Sequence, residues 1–114
     1  MDIEKTKTQM KKGILEYCIL SIIKRAGDAY ASDIIDELKD TEMIVVEGTL
    51  YPLLTRLKND GLLDYRWEES TSGPPRKYFT LTDEGLAFLE ALKESWINLK
   101  NAVNKLTLEN TQNG

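Results

Sequence analysis

The stretch from Glu47 to Leu81, EGTLYPLLTRLKNDGLLDYRWEESTSGPPRKYFTL, constrains this chain most. Its first part predicts an amphipathic helix. Leu50, Leu53, Leu54 and Leu57 recur at spacings of three and four and make one apolar stripe. Pro52 has no N–H and belongs in a first turn, which puts the helix start near Glu47 to Thr49. Asp60-Gly61 ends the helix, with Gly61 as a left-handed cap. Leu63, Tyr65 and Trp67 then alternate with Asp64, Arg66 and Glu68, which is strand periodicity. Ser70 to Pro75 is turn chemistry, and Arg76 to Leu81 forms a second run in which Tyr78 and Phe79 favour a strand. A helix followed at once by a two-strand ribbon is the layout of a winged helix-turn-helix.

The outer surfaces of these elements point to nucleic acid. At about 100° per residue, the face opposite the leucines carries Gly48, Pro52, Thr55 and Asn59, flanked by Tyr51 and Arg56. These are small, polar or planar groups with one cation, so the face can lie close to a groove floor and still offer hydrogen bonds. An ordinary solvated helix face has the same composition. Arg76 and Lys77 beside a flexible tip containing Ser72 and Gly73 suit phosphate contacts, and a hairpin with solubilising charges is the alternative.

The flanking segments complete the layout. Thr8 to Ala26 reads as a first helix whose wide apolar face (Ile14, Leu15, Cys18, Ile19, Ile22, Ile23) suits two contact surfaces, its own domain and a partner helix. Lys5, Lys7, Lys11 and Lys12 make its leading end basic; phosphate contact is one reading of them and a solvated tail the favoured one. After Gly27-Asp28, Ala29-Tyr30 suits a short extended segment pairing with the ribbon. Ser32 or Tyr30-Ala31 opens a second helix that runs to Leu38, with Ser32 as a candidate N-cap and Asp33 in its first turn. The connection from Asp40 to Val46 is longer than the three or four residues of a tight helix-turn-helix, as winged variants require. From Thr82 onward the chain reads as one helix, with Thr82 as N-cap. Leu89, Leu92, Trp96, Leu99, Val103 and Leu106 follow a 3-4-3-4-3 spacing, an a/d seam that a dimer or the helix's own domain could cover. The length of the helix relative to so small a core favours the dimer. The expected division is 1–82 for the winged helix and 83–114 for the dimerisation helix.

Several short motifs occur here in fixed order: Thr49-Leu50-Tyr51-Pro52, Arg56-Leu57, Asp60-Gly61-Leu62, Gly73-Pro74-Pro75-Arg76-Lys77-Tyr78 and Leu81-Thr82-Asp83-Glu84-Gly85. From about Leu15 to Gly85 the chain resembles the PadR-like transcriptional regulators of bacteria. The single long C-terminal helix is similar to the compact subfamily that includes multidrug-sensing repressors. The resemblance implies a homodimeric repressor on a pseudo-palindromic DNA operator, its two reading helices about 34 Å apart. It implies DNA contact by Gly48, Thr49, Tyr51, Pro52, Thr55 and Arg56 of the helix and by Ser72, Gly73, Arg76 and Lys77 of the wing. It implies a dimer interface of Leu15, Ile19, Leu89, Leu92, Trp96, Leu99, Val103 and Leu106. Glu94-Ser95-Trp96 is similar to a context in which tryptophan stacks flat aromatic drugs between subunits, so a small aromatic ligand against Trp96, Leu92 and Leu99 is implied. Simple filling of the interface by Trp96 is the other reading.

Composition removes most other functions. There is no histidine and one cysteine, Cys18, so Ser-His and Cys-His catalysis, a structural zinc site and an internal disulfide are all unavailable. No phosphate-cradling glycine motif occurs. No enzymatic activity, cofactor or metal is therefore expected. No run of about 18 apolar residues exists, and the polar start does not read as a signal peptide, so no membrane contact and a cytoplasmic location are expected. The net charge of −4 is uneven: +3 over 1–26, −6 over 27–47, +1 over 48–82 and −2 over 83–114. An acidic DNA binder must rely on geometry and dimer avidity. A winged-helix protein-interaction module and a small-molecule sensor without specific DNA binding are the alternatives.

Overall fold

In the computed structural model, residues 2–70 and 73–109 are described. The chain runs α1 (Ile3–Lys12), α2 (Leu15–Ala26), α3 (Ala31–Leu38), α4 (Glu47–Asn59), β1 (Leu63–Ser70), β2 (Gly73–Leu81) and α5 (Asp83–Thr107). The leucine stripe of α4 is the centre of the core: Leu50, Leu54 and Leu57 are buried with Ile19, Leu20 and Ile23 of α2, Ile34 of α3 and Leu63 of β1. Each such side chain contributes roughly 1.5–3 kcal/mol by leaving water. No polar or charged residue is buried among the described residues.

α4 ends as its sequence predicts. Gly61 adopts φ +82°, and the N–H groups of Leu62 and Gly61 donate to the carbonyls of Leu57 and Lys58 at 3.0 Å each. This pair of bonds satisfies carbonyls that the last helical turn leaves open. The chain is thereby turned directly into β1. β1 and β2 pair antiparallel, with Tyr65 opposite Phe79 and Trp67 opposite Lys77. Ala29 adds a third short segment: its N–H and C=O exchange hydrogen bonds with Phe79 at 3.0 and 2.8 Å, the pairing expected for Ala29-Tyr30.

Thr82 fixes the start of α5. Its hydroxyl donates to the Gly61 carbonyl at 2.7 Å and accepts the Gly85 N–H at 2.9 Å, while its own N–H donates to the Leu62 carbonyl at 3.1 Å. The first turns of α5 then pack on α2, with Leu89 inside the main core and a Lys24–Glu90 ion pair at 3.5 Å. The division expected at 82/83 therefore crosses a continuous core. Beyond Trp96 the helix is exposed on all sides, and the molecule measures 59 Å along its longest axis.

Several local features refine or depart from expectation. The single first helix is two, α1 and α2, interrupted at Gly13-Ile14. Glycine is among the weakest helix formers, and α1 buries no residue that would carry a helix through it. The four lysines all lie on α1, which is capped by Asp2 and buries no residue. Of the two starts expected for α3 the chain adopts Tyr30-Ala31, with Tyr30 rather than Ser32 as N-cap; the Asp33 carboxylate accepts the Tyr30 N–H at 3.0 Å. Pro52 is the sixth residue of α4, not in its first turn. Its missing N–H leaves only the Gly48 carbonyl without a helical donor, near an end where solvent can serve it. Finally, β2 begins at Gly73, so Pro74 and Pro75 lie in the strand. The register shifts between Glu68↔Arg76 and Ser70↔Gly73, so the two prolines oppose Glu69 alone, a bulge where a missing donor costs no ladder bond.

Candidate nucleic-acid interface

The outer face of α4 is open. Gly48, Thr49, Tyr51, Pro52, Thr55 and Arg56 are all exposed, and a Cβ added at Gly48 would meet nothing within 4 Å. Arg56 forms an ion pair with Glu16 of α2. That contact turns the guanidinium back toward the chain's own surface. Ser72, expected at the wing, lies outside the described residues, and Gly73 is exposed at the start of β2.

The wing is stiffened by rings. The Tyr30 and Tyr78 rings stack with centroids 3.8 Å apart and planes 24° from parallel. The Arg66 guanidinium lies 4.6 Å from the Tyr78 centroid, and that of Arg76 lies 4.9 Å from Tyr30. Arg66 is also anchored to Asp28 at 2.9 Å. Such cation–ring contacts hold a guanidinium in place while leaving its N–H groups free to donate. The pairing explains a perturbed phenol: the hydrogen bond with Tyr30 pushes the Tyr78 hydroxyl up to about 12, helped by desolvation and by nearby Glu68 and Asp28.

An open groove of about 550 Å³ runs between α4 and the wing. Tyr51 and Glu47 line it on the helix side, Tyr30 and Ser32 at the start of α3, and Arg76 and Lys77 on the ribbon. The structure thus brings Tyr51, Arg76 and Lys77 to one channel. Thr55 and Arg56 do not line it. Tyr30, Trp67 and Pro74, absent from the sequence expectation, do. The aromatic alternation in β1 marks Trp67, but nothing local in the sequence pairs Tyr30 with Tyr78.

The expected dimer residues divide. Ile19 and Leu89 are 0% and 4% exposed within one chain, so their side chains are consumed by its own core and offer a partner no surface. Leu15 and Leu92 are half-buried against that core. Leu99, Val103 and Leu106, by contrast, are 53%, 46% and 84% exposed. Trp96 is half-buried over a cleft of about 110 Å³ bounded by Gly13, Ile14, Tyr17, Leu92 and Leu99. No helix among the described residues is long and apolar enough to cross a membrane.

A core of three helices, a long turn before the outward-facing helix, and a two-strand wing with a third edge segment define a winged helix-turn-helix protein. The chain belongs to the transcriptional regulator PadR-like family, whose sequence model matches residues 19–91. A PadR-like transcription factor from Bacteroides fragilis is 58% identical, covering 90% of this chain and 99% of its own, with a TM-score of 0.74. A PadR family regulator from Eggerthella lenta is 33% identical over 95% of this chain and 94% of its own, at TM-score 0.83. Bacillus subtilis PadR, solved in complex with operator DNA, is 27% identical over 69% of this chain and 45% of its own, at TM-score 0.63. Proteins of this family are transcription regulators, not enzymes.

Proposed function

We propose that the chain represses transcription as a homodimer, each α4 entering a major groove of a pseudo-palindromic operator. The observation that carries the reading is the groove between Tyr51 of α4 and the ring-supported Arg76 and Lys77 of the wing. Gly48, Thr49, Tyr51, Pro52 and Thr55 face the bases, and Arg76 and Lys77 hold phosphates. The operator complex of Bacillus subtilis PadR supports duplex DNA as the partner, and the work then lies in the cytoplasm. Dimerisation falls to the part of α5 beyond Leu92, where Leu99, Val103 and Leu106 continue the seam past the domain. The cleft beside Trp96 is smaller than the roughly 300 Å³ of a drug-sized pocket. A flat aromatic ligand there needs walls from the second chain, and its binding changes the separation of the reading helices.

The test is an electrophoretic shift on the DNA upstream of the protein's own gene, at two salt concentrations with excess competitor. A discrete, competitor-resistant complex is expected. Arg76→Ala and Lys77→Ala should each lower the slope of log affinity against log salt by about 1. A salt-sensitive smear with slopes unchanged by both variants would favour the protein-interaction reading, which the net charge of −4 keeps in view.

A further inference from the structure

We infer that Lys58, Tyr65 and Trp67 join Lys77 in extending the DNA-contacting surface, as a row that grips the sugar–phosphate backbone of the duplex beside the reading helix. The inference rests on the DNA-binding reading above and extends it from Lys77 to Trp67, Tyr65 and Lys58. Strand alternation puts Tyr65, Trp67 and Lys77 on one face of the ribbon, with Trp67 directly opposite Lys77. The Lys77 ammonium lies 4.3 Å from the Tyr65 centroid and 5.3 Å from that of Trp67, and the Lys58 ammonium approaches Tyr65 at 5.7 Å. Tyr65 and Trp67 meet edge to face at 6.2 Å. The row therefore starts at the C-terminal end of α4 and runs outward along the wing.

Its exposure has no account within the chain. On the same face Leu63 is buried at the core end, Tyr65 is partly open, and Trp67 is 61% exposed. A tryptophan placed there gains nothing from the core. Among the described residues neither Lys58 nor Lys77 pairs with a carboxylate, whereas Arg25, Arg56 and Arg66 each do. Two unneutralised cations on aromatic faces call for an anionic partner that also offers apolar surface. The duplex backbone offers both, phosphate oxygens for the ammonium groups and deoxyribose for the indole face. Trp67 and Lys77 also line the groove that Tyr51 faces, so the row continues the proposed interface rather than forming a separate one.

The chain has two tryptophans, Trp67 and Trp96, which makes the test direct. Acrylamide quenching of intrinsic fluorescence is measured on the full chain with and without a saturating duplex carrying the DNA upstream of its own gene. Low salt is used, so that even non-specific complexes form, and mobility shift on the same samples reports binding. Wild-type fluorescence should lose part of its quenching when DNA binds, and Trp67→Phe, in which only Trp96 reports, should lose none. Trp67→Ala should weaken binding about fivefold, and Trp67→Phe by less. Lys58→Ala should lower the salt slope by about 1, as a lost phosphate contact does. Circular dichroism checks that these surface variants fold. Bound duplex that leaves wild-type quenching unchanged, or protects Trp67→Phe equally, overturns the assignment of Trp67 while leaving the DNA-binding reading in place. Absence of any complex even at low salt brings down both.

Discussion

Gly85 should be intolerant of the smallest substitution. A Cβ built there falls 2.1 Å from the Leu62 carbonyl oxygen and 2.9 Å from Leu81 Cδ2, whereas ordinary contact begins near 3.4 Å. The oxygen belongs to backbone, so it cannot swing aside. It is also held in place, because it accepts the Thr82 N–H at 3.1 Å and Thr82 in turn caps α5 through Gly85. Gly85→Ala must therefore lift the first turn of α5 by more than 1 Å from the end of α4. Overpacking of this kind costs about 1–3 kcal/mol, and the strained Thr82–Leu62 hydrogen bond about 1 more. The better helix propensity of alanine returns about 1 kcal/mol. The net loss of ~1–3 kcal/mol corresponds to a fall in Tm of roughly 5–15 °C. Thermal unfolding followed by circular dichroism, at one fixed protein concentration because a dimer's Tm depends on it, measures the effect. A Gly85→Ala protein melting within ~2 °C of wild type would refute the argument that close approach, rather than chance, put glycine in the Leu81-Thr82-Asp83-Glu84-Gly85 motif.

Gly48 should behave in the opposite way. A Cβ there meets nothing within 4 Å, so Gly48→Ala should stabilise α4 by about 0.5–1 kcal/mol while weakening operator binding, measured by melting and mobility shift on one preparation. Leu106→Glu should shift sedimentation toward monomer without lowering the helical signal of the winged domain, since Leu106 is 84% exposed on one chain. A protein that sediments unchanged would remove the distal seam from the interface. Tyr78 gives a pH prediction of definite sign. Its folded-state pKa is raised from the ordinary 10 to about 12, so the neutral phenol favours the folded state. That stability is fully present below pH 10 and is lost as pH rises from 10 to 12. Tyr78→Phe should flatten this part of the stability profile; an equally steep decline would show that the Tyr30 hydrogen bond does not govern it.

The parts of the fold that were legible in the sequence are those whose signal is local and repeated. The stripe of α4 gives a burial period over four leucines, and its Gly61 stop needs only one residue with positive φ. Thr82 satisfies its cap within three residues. The misread parts depend on distance or on compensation. α1 buries nothing, so no periodicity separated it from a tail or marked the break at Gly13. The bulge that admits Pro74 and Pro75 to β2 exists only because β1 supplies a partner register. Ile19 and Leu89 belong to stripes that suit a partner and a domain equally, and only the assembled core shows which they meet. Residue type alone marked the outer face of α4 as exposed. The Tyr30–Tyr78 stack that carries Arg76 was not legible, because it joins residues 48 positions apart.

The acidic net charge and the proposed DNA contact are compatible once the cations are followed individually. Arg25, Arg56 and Arg66 are paired with Glu37, Glu16 and Asp28, so they contribute little field outside the molecule. Arg76, Lys77 and Lys58 rest on rings instead, which neutralise nothing. At physiological ionic strength exposed charges are screened beyond about 8 Å. A phosphate at the groove therefore senses the ring-supported cations, and Glu47 on the helix side, more than the carboxylates along the far part of α5. Long-range steering, by contrast, samples the whole charge and is unfavourable here. The expected signature is slow association with a salt slope set by the few unpaired cations rather than by the net charge. Relocating charge should separate the two effects. Neutralising a distant carboxylate such as Glu109 should raise the association rate at low salt and leave the slope alone, whereas Lys77→Ala should lower the slope at every salt concentration.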